Sequence, residues 1–275
     1  MTIKVRRVGG VLGVEVLDFA LGEAHSTATW EQIRTSTTEN CLLLFRGESI
    51  SACQLTDFVA AIGPVMEPQS VKSKKNRLPE ATGVELLSSA PDGARYAGQA
   101  WHSDYSYIEK PAVFSFFYLR KAPSVGGDTA FANMYAAYDA LSQRLKEMLN
   151  GLEAVHSNVK RHQYQYMTED APVSKLELAS YAPVKHPLVM THPLTGRKSL
   201  YVSEALTTAI VGLPLRESEA ILKFLFEHCA RPEFVYRHVW QENDLVVIDN
   251  RCTNHCAVAD YDMDEGREML IVCAR

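Results

Sequence analysis

The chain predicts a mainly β fold with flanking helices (α+β), closed into a jelly-roll or cupin-like barrel, and three observations carry that reading. Short apolar and β-branched runs recur along the whole length with no regular alternation of strand and helix. Glycine- and proline-centred turns break those runs, as at Ser124-Val-Gly-Gly-Asp and Pro193-Leu-Thr-Gly-Arg. The 275 residues are 47% hydrophobic and 22% charged, enough for one large core, and no repeat, linker or low-complexity stretch divides them, so residues 1–275 read as a single domain.

The elements follow in order. Residues 9–22 read as short strands with glycine turns, and 27–39 as a helix. Cys41-Leu-Leu-Leu-Phe-Arg-Gly is a continuous apolar run stopped by glycine, hence a buried strand. Residues 51–62 place Leu55, Phe58, Val59 and Ile62 at helical spacing before Gly63-Pro64. Periodicity fades over 65–100, which reads as a surface loop and a lid feeding into the stretch at 101–104. Strands are expected over 113–119 and 129–133, then one helix over 134–152. The segment 156–183 gives no pattern. A hairpin is expected between 186–191 and 199–202, a helix over 217–230, a second hairpin joining 234–240 to 245–248, and a terminal strand over 269–273.

The bulk numbers exclude several classes. A net charge of −5 gives no electrostatic footprint for nucleic acid. No apolar run approaches the ~20 residues of a membrane span, and the N-terminus lacks the apolar core of a secretory signal. Six cysteines without a CxxC pair fit thiols in a reducing compartment, so a cytoplasmic location is expected.

The chemistry starts at Trp101-His102-Ser103-Asp104. In extended chain, residues two apart face the same side, so the imidazole of His102 and the carboxylate of Asp104 point together. Two histidines and one carboxylate with open positions is the set that suits iron(II). Of the other eight histidines, His255 is the best third ligand, because it follows the buried run 245–248 as that run emerges into a polar turn. His186 and His192 are weaker rivals; His25 and His228 sit in helix or linker contexts. Arg267 lies 12 residues after His255, just before the terminal strand, where its guanidinium could grip a carboxylate through two bonds. A metal with open positions and an arginine at fixed distance suit a dicarboxylate. A zinc hydrolase or isomerase of cupin type, and a non-catalytic β-barrel binding protein, remain open at this point.

Five stretches in order resemble the taurine dioxygenase group of iron(II)- and 2-oxoglutarate-dependent oxygenases. They are Trp101-His-Ser-Asp, the run from Gly126-Gly-Asp-Thr to Leu141, Thr191-His-Pro-Leu-Thr-Gly-Arg, Trp240-Gln-Glu-Asn-Asp-Leu, and Asp249-Asn-Arg-Cys-Thr-Asn-His-Cys-Ala-Val-Ala-Asp-Tyr. The resemblance implies a double-stranded β-helix. It implies that His102, Asp104 and His255 hold Fe(II), that Arg267 pairs with the distal carboxylate of 2-oxoglutarate, and that the Thr129 hydroxyl supports that carboxylate. The implied reaction uses O2, releases succinate and CO2, and oxidises a C–H bond of a small organic molecule, most simply by hydroxylation. Desaturation, cyclisation and rearrangement start from the same centre. A carboxylate at 104 implies oxygenation, since related halogenases carry a small residue there. One departure bears on substrate: relatives that use sulfonates and carboxylates carry a second arginine four residues after the first, and here that position is Ile271. Residues 64–70 also lack the histidine-rich pattern of taurine dioxygenase. Tyr105, Leu206 and Ile271 are expected to make an apolar, aromatic pocket for a larger, less charged substrate than taurine, such as an intermediate of secondary metabolism. Relatives assemble as dimers or tetramers, which leaves a homo-oligomer open.

Overall fold

The computed structural model describes residues 3–69, 76–88, 98–158 and 182–275. Its main sheet has eight strands: β1 (Lys4–Arg7), β2 (Val14–Leu17), β3 (Leu42–Phe45), β4 (Arg77–Leu78), β5 (Ala81–Ser88), β6 (Phe114–Lys121), β14 (Leu245–Asp249) and β16 (Glu268–Ala274). Their spatial order is β1-β2-β3-β14-β6-β16-β5-β4, antiparallel except for β2 beside β3. Facing it, β7 (Thr129–Asn133) lies between β13 (Val235–His238) and β15 (Thr253–Ala257), and β8 (Glu153–His156) lies between β12 (Thr207–Ile210) and β9 (Val184–Pro187). A hairpin of β10 (Val189–Thr191) and β11 (Lys198–Leu200) completes the strands.

The central strands are apolar on both faces because both faces are covered. Leu43, Phe116 and Val247 point to helices α1 (Thr27–Asn40) and α2 (Ala52–Ile62), where they meet Ile33, Leu55, Phe58 and Val59. Leu42, Leu44, Phe117, Val246 and Ile248 point the other way and meet Phe131, Tyr135 and Trp240 of the opposing layer. Helix α2 starts with a capping box, Ser51 accepting from the Gln54 amide and Gln54 answering to the Ser51 amide. Such a cap contributes about 1 kcal/mol and fixes where the helix begins. The opposing layer is backed by α5 (Leu215–Cys229) through Leu222 and Leu225. No helix among the described residues is long and apolar enough to cross a membrane.

Three local expectations change. Residues 81–88 of the expected loop form an eight-residue strand, β5, on which β16 pairs; the rest of the lid falls largely at 70–75 and 89–97, outside the described residues. The helix over 134–152 is two helices, α3 (Met134–Asp139) and α4 (Gln143–Leu149), because Ser142 caps the second by accepting from the Leu145 amide. The second hairpin does not exist: β13 pairs with β7 while β14 pairs with β3 and β6, so the turn at 241–244 crosses between sheets. Buried Asp244 pins that corner, accepting from Arg46, His238 and the Gln241 amide. The 186–191 and 199–202 hairpin forms as β10 and β11. Of the unpatterned segment, 159–181 lies outside the described residues.

Candidate metal and cosubstrate site

His255 sits in the middle of β15, and its backbone exchanges two hydrogen bonds with His102, N to O at 3.0 and 2.8 Å. This isolated bridge between distant chain segments brings the two imidazoles to 4.1 Å between centroids. The Nδ1 of His102 lies 2.8 Å from the Ala100 carbonyl, so Nδ1 carries the proton and Nε2 presents a lone pair. Asp104 completes the group: its Oδ1 lies 3.7 Å from His102 Nε2 and its Oδ2 lies 3.8 Å from His255 Nε2. Each residue offers one ligand atom, and these atoms all lie within 4.8 Å of one another.

The carboxylate reaches this place for a different reason than strand alternation. Only His102 lies in a bridge, and 104–107 are a turn in which Tyr105 adopts φ +55°. The turn is held by Asn250, whose Oδ1 accepts from the Asp104 amide at 3.0 Å, and by Ser115, whose hydroxyl donates to Asp104 Oδ2 at 2.7 Å. Phe117 meets the His255 ring edge-on at 5.0 Å and Phe131 stacks at 6.2 Å, giving one side of the group a dry aromatic wall.

Arg267 precedes β16, and its guanidinium lies 5.9 Å from the ring of Trp240. The Trp240 indole N–H donates to Thr129 Oγ1 at 2.9 Å. Trp240 therefore ties Thr129 and Arg267 into one cluster and leaves the Thr129 hydroxyl proton for another acceptor. Burial pulls the Arg267 pKa down, with Tyr261 and Asp128 opposing. The chain makes room for this arginine at Gly127, where φ is +71° and a Cβ would approach Arg267 Cδ to 3.3 Å and Pro123 Cγ to 2.9 Å.

Tyr105 and Ile271 line one shallow, open hollow with Met66, Pro68, Gly83, Glu85 and Cys273. Its wall adjoins the His102, Asp104 and His255 cluster through Ser115, which bonds Asp104 and whose Oγ lies 3.4 Å from Cys273 Sγ. Leu206 is not brought to this wall. It is fully buried against Tyr107 and Ala205, behind Tyr105. The rival histidines are occupied structurally: His192 with Asp249 at 3.1 Å, and His25, His186 and His228 on the carbonyls of Ala20, Ile108 and Ala137. Sequence reasoning missed Ser115, Asn250 and the bridging role of Trp240, since a lone serine in an aromatic strand carries no signal of its own.

The family model described as taurine catabolism dioxygenase TauD, TfdA family matches residues 4–273. The chain is 34% identical over 270 residues to an alpha-ketoglutarate-dependent 2,4-dichlorophenoxyacetate dioxygenase of Cupriavidus pinatubonensis, covering 94% of this chain and 91% of that one. It is 33% identical to an (S)-phenoxypropionate/alpha-ketoglutarate-dioxygenase of Sphingobium herbicidovorans, covering 94% and 88%. The crystal structure of AAD-2 in complex with Mn(II) and N-oxalylglycine superposes with a TM-score of 0.88 at 29% identity, over 100% of this chain and 98% of that one. These matches confirm the double-stranded β-helix and displace the zinc hydrolase and binding-protein alternatives. The chain belongs to the taurine catabolism dioxygenase TauD, TfdA family, oxidoreductases that depend on Fe(II), 2-oxoglutarate (alpha-ketoglutarate) and O2.

Proposed function

We propose that this enzyme hydroxylates an unactivated C–H bond of a small organic substrate that is larger and less anionic than taurine, with iron held by His102, Asp104 and His255. The observation that carries the reading is the convergence of those three ligand atoms within 4.8 Å, beside an arginine, threonine and tryptophan cluster. Two imidazole nitrogens and one carboxylate oxygen brought this close together are the donor set that fits iron(II). When bound, iron(II) with 2-oxoglutarate and O2 supplies the oxidising power, and succinate and CO2 are the coproducts.

The chain's own residues do the rest. His102 is fixed in one tautomer by the Ala100 carbonyl. Arg267 grips the distal carboxylate of the cosubstrate, and the Thr129 hydroxyl donates to it. Phe117, Phe131 and Trp240 keep water from that side. The substrate lies against Tyr105 and Ile271. A small sulfonate is disfavoured because the wall carries apolar Ile271 where an arginine would pair with the anion. Two relatives act, by their names, on 2,4-dichlorophenoxyacetate and (S)-phenoxypropionate, both with an aromatic body. Six free thiols fit a reducing, cytoplasmic setting.

The test is anaerobic addition of Fe(II) and 2-oxoglutarate to the purified chain. A visible absorption band that is lost in His255→Ala supports the reading; no band, or a band untouched by the substitution, rejects it. For the substrate, succinate release is measured against a panel. Strong coupling with taurine and none with apolar compounds rejects that part.

A further inference from the structure

We infer that Ser115 and Asn250 are positioning residues that hold the Asp104 carboxylate to one-oxygen ligation of the metal. The inference rests on the assignment of His102, Asp104 and His255 as ligands. Three hydrogen bonds close a ring: the Asp104 amide donates to Asn250 Oδ1 at 3.0 Å, Asn250 Nδ2 donates to Ser115 Oγ at 2.8 Å, and the Ser115 hydroxyl donates to Asp104 Oδ2 at 2.7 Å. The amide orientation follows from the ring itself, since the reverse would set Nδ2 against the Asp104 N–H.

The ring is anchored rather than floating. Asn250 donates its own amide to the Val113 carbonyl at 2.9 Å and accepts from the Ser103 hydroxyl at 2.8 Å. Ser115 and Asn250 are 0% and 1% exposed, so water does not compete for these bonds. Asn250 thus couples the turn carrying Asp104 to the segment that runs into β15 and His255.

The consequence is chemical. The Ser115 bond is short and charge-assisted, and it occupies Oδ2. With Oδ2 already accepting from Ser115, Oδ1 is the stronger donor towards a metal; ligation through both oxygens would weaken this bond and take one of the positions that the two-histidine, one-carboxylate set leaves open. Those positions are the ones a chelating cosubstrate and O2 need. Ser115 therefore protects vacancy at the metal, and Asn250 aims Ser115.

The test uses the metal-free full chain, Co(II) as the probe, and no turnover. Co(II) titration and the visible Co(II) spectrum are recorded for wild type, Ser115→Ala and Ser115→Thr. Loss of an outer hydrogen bond to a ligand costs about 10- to 100-fold in metal affinity. The expected result is that loss in Ser115→Ala, with altered band intensity and weaker response to added 2-oxoglutarate, and restoration of all three in Ser115→Thr. Wild-type affinity and spectrum in Ser115→Ala overturn the inference. If Ser115→Ala does not fold, Ser115→Cys fills the space with a weak donor and is judged by the same outcomes. His255→Ala is run alongside: unchanged Co(II) binding there rejects the ligand assignment itself, separately from the role of Ser115.

Discussion

Replacing Arg267 separates cosubstrate recognition from metal binding. The guanidinium is partly buried beside Trp240, and its fork can give a carboxylate two parallel charge-assisted bonds. Hydrogen bonds to charged groups contribute about 1.5–3 kcal/mol each. Because the guanidinium is only partly buried, the lower end of the two-bond sum applies, about 3–4 kcal/mol, or a hundredfold to roughly a thousandfold in affinity at about 1.4 kcal/mol per tenfold. Arg267→Ala is therefore expected to raise the dissociation constant for 2-oxoglutarate by about that factor while Co(II) binding stays unchanged. Arg267→Lys keeps the charge without the fork and is expected to lose about tenfold. The assay is isothermal titration of 2-oxoglutarate into the Co(II)-loaded protein without oxygen, with a melting curve to register the lost contact on Trp240. A change of less than about threefold in Arg267→Ala would refute the assignment, because the guanidinium would then contribute under about 0.7 kcal/mol where two charge-assisted bonds require about 3.

The remaining predictions concern stability and selectivity. Asp244→Ala removes a fully buried carboxylate that accepts from Arg46, His238 and the Gln241 amide, and urea unfolding should show a loss of about 3–5 kcal/mol. His156 is held neutral by burial and by neighbouring His186, its pKa pulled from 6.5 to about 3. The unfolded chain then takes up a proton below about pH 6.5 that the folded chain refuses, so stability falls as pH drops from 6.5 towards 3, by up to about 5 kcal/mol. His156→Leu should flatten that limb in pH-dependent denaturation of the metal-free protein; an unchanged slope counts against it. Ile271→Arg sets a cation in the hollow beside Tyr105 and should raise succinate release coupled to 2,4-dichlorophenoxyacetate relative to neutral aryl ethers. No gain for the anion would show that the hollow is not where substrate lies.

Much of the barrel was legible because buried strands announce themselves. Leu42–Phe45 and Leu245–Asp249 are continuous apolar runs, and both prove to be central strands covered on two faces. The corner at 241–244 was not legible in the same way. A short polar turn between two apolar runs reads as a hairpin, and only the pairing of β13 with β7 and of β14 with β3 and β6 reveals a crossing between sheets, a corner that Asp244 pins to distant Arg46. The break between α3 and α4 had a local signal in Ser142, overridden in the reading by a periodicity that continued through it. Strand β5 was missed because its sequence, Ala81–Ser88, has no sustained run and owes its order to pairing with β16.

The cluster of His102, Asp104 and His255 shows how two side chains expected together can meet for another local reason. His102 and Asp104 face each other, yet Asp104 lies in a turn and Tyr105 beside it has positive φ. A strand would place the two side chains in parallel whatever surrounds them. A turn does so only while something holds it, and here the holding groups are Asn250 and Ser115, 146 and 11 residues away. The spacing of histidine and aspartate is therefore necessary but not sufficient. Transplanted without a buried asparagine ahead of the second histidine and a serine on the facing strand, the same motif would leave its carboxylate free to turn, and the open positions at the metal would depend on chance. The specificity of the signature lies as much in the Asp249-Asn250-Arg251 run as in the ligands that flank it.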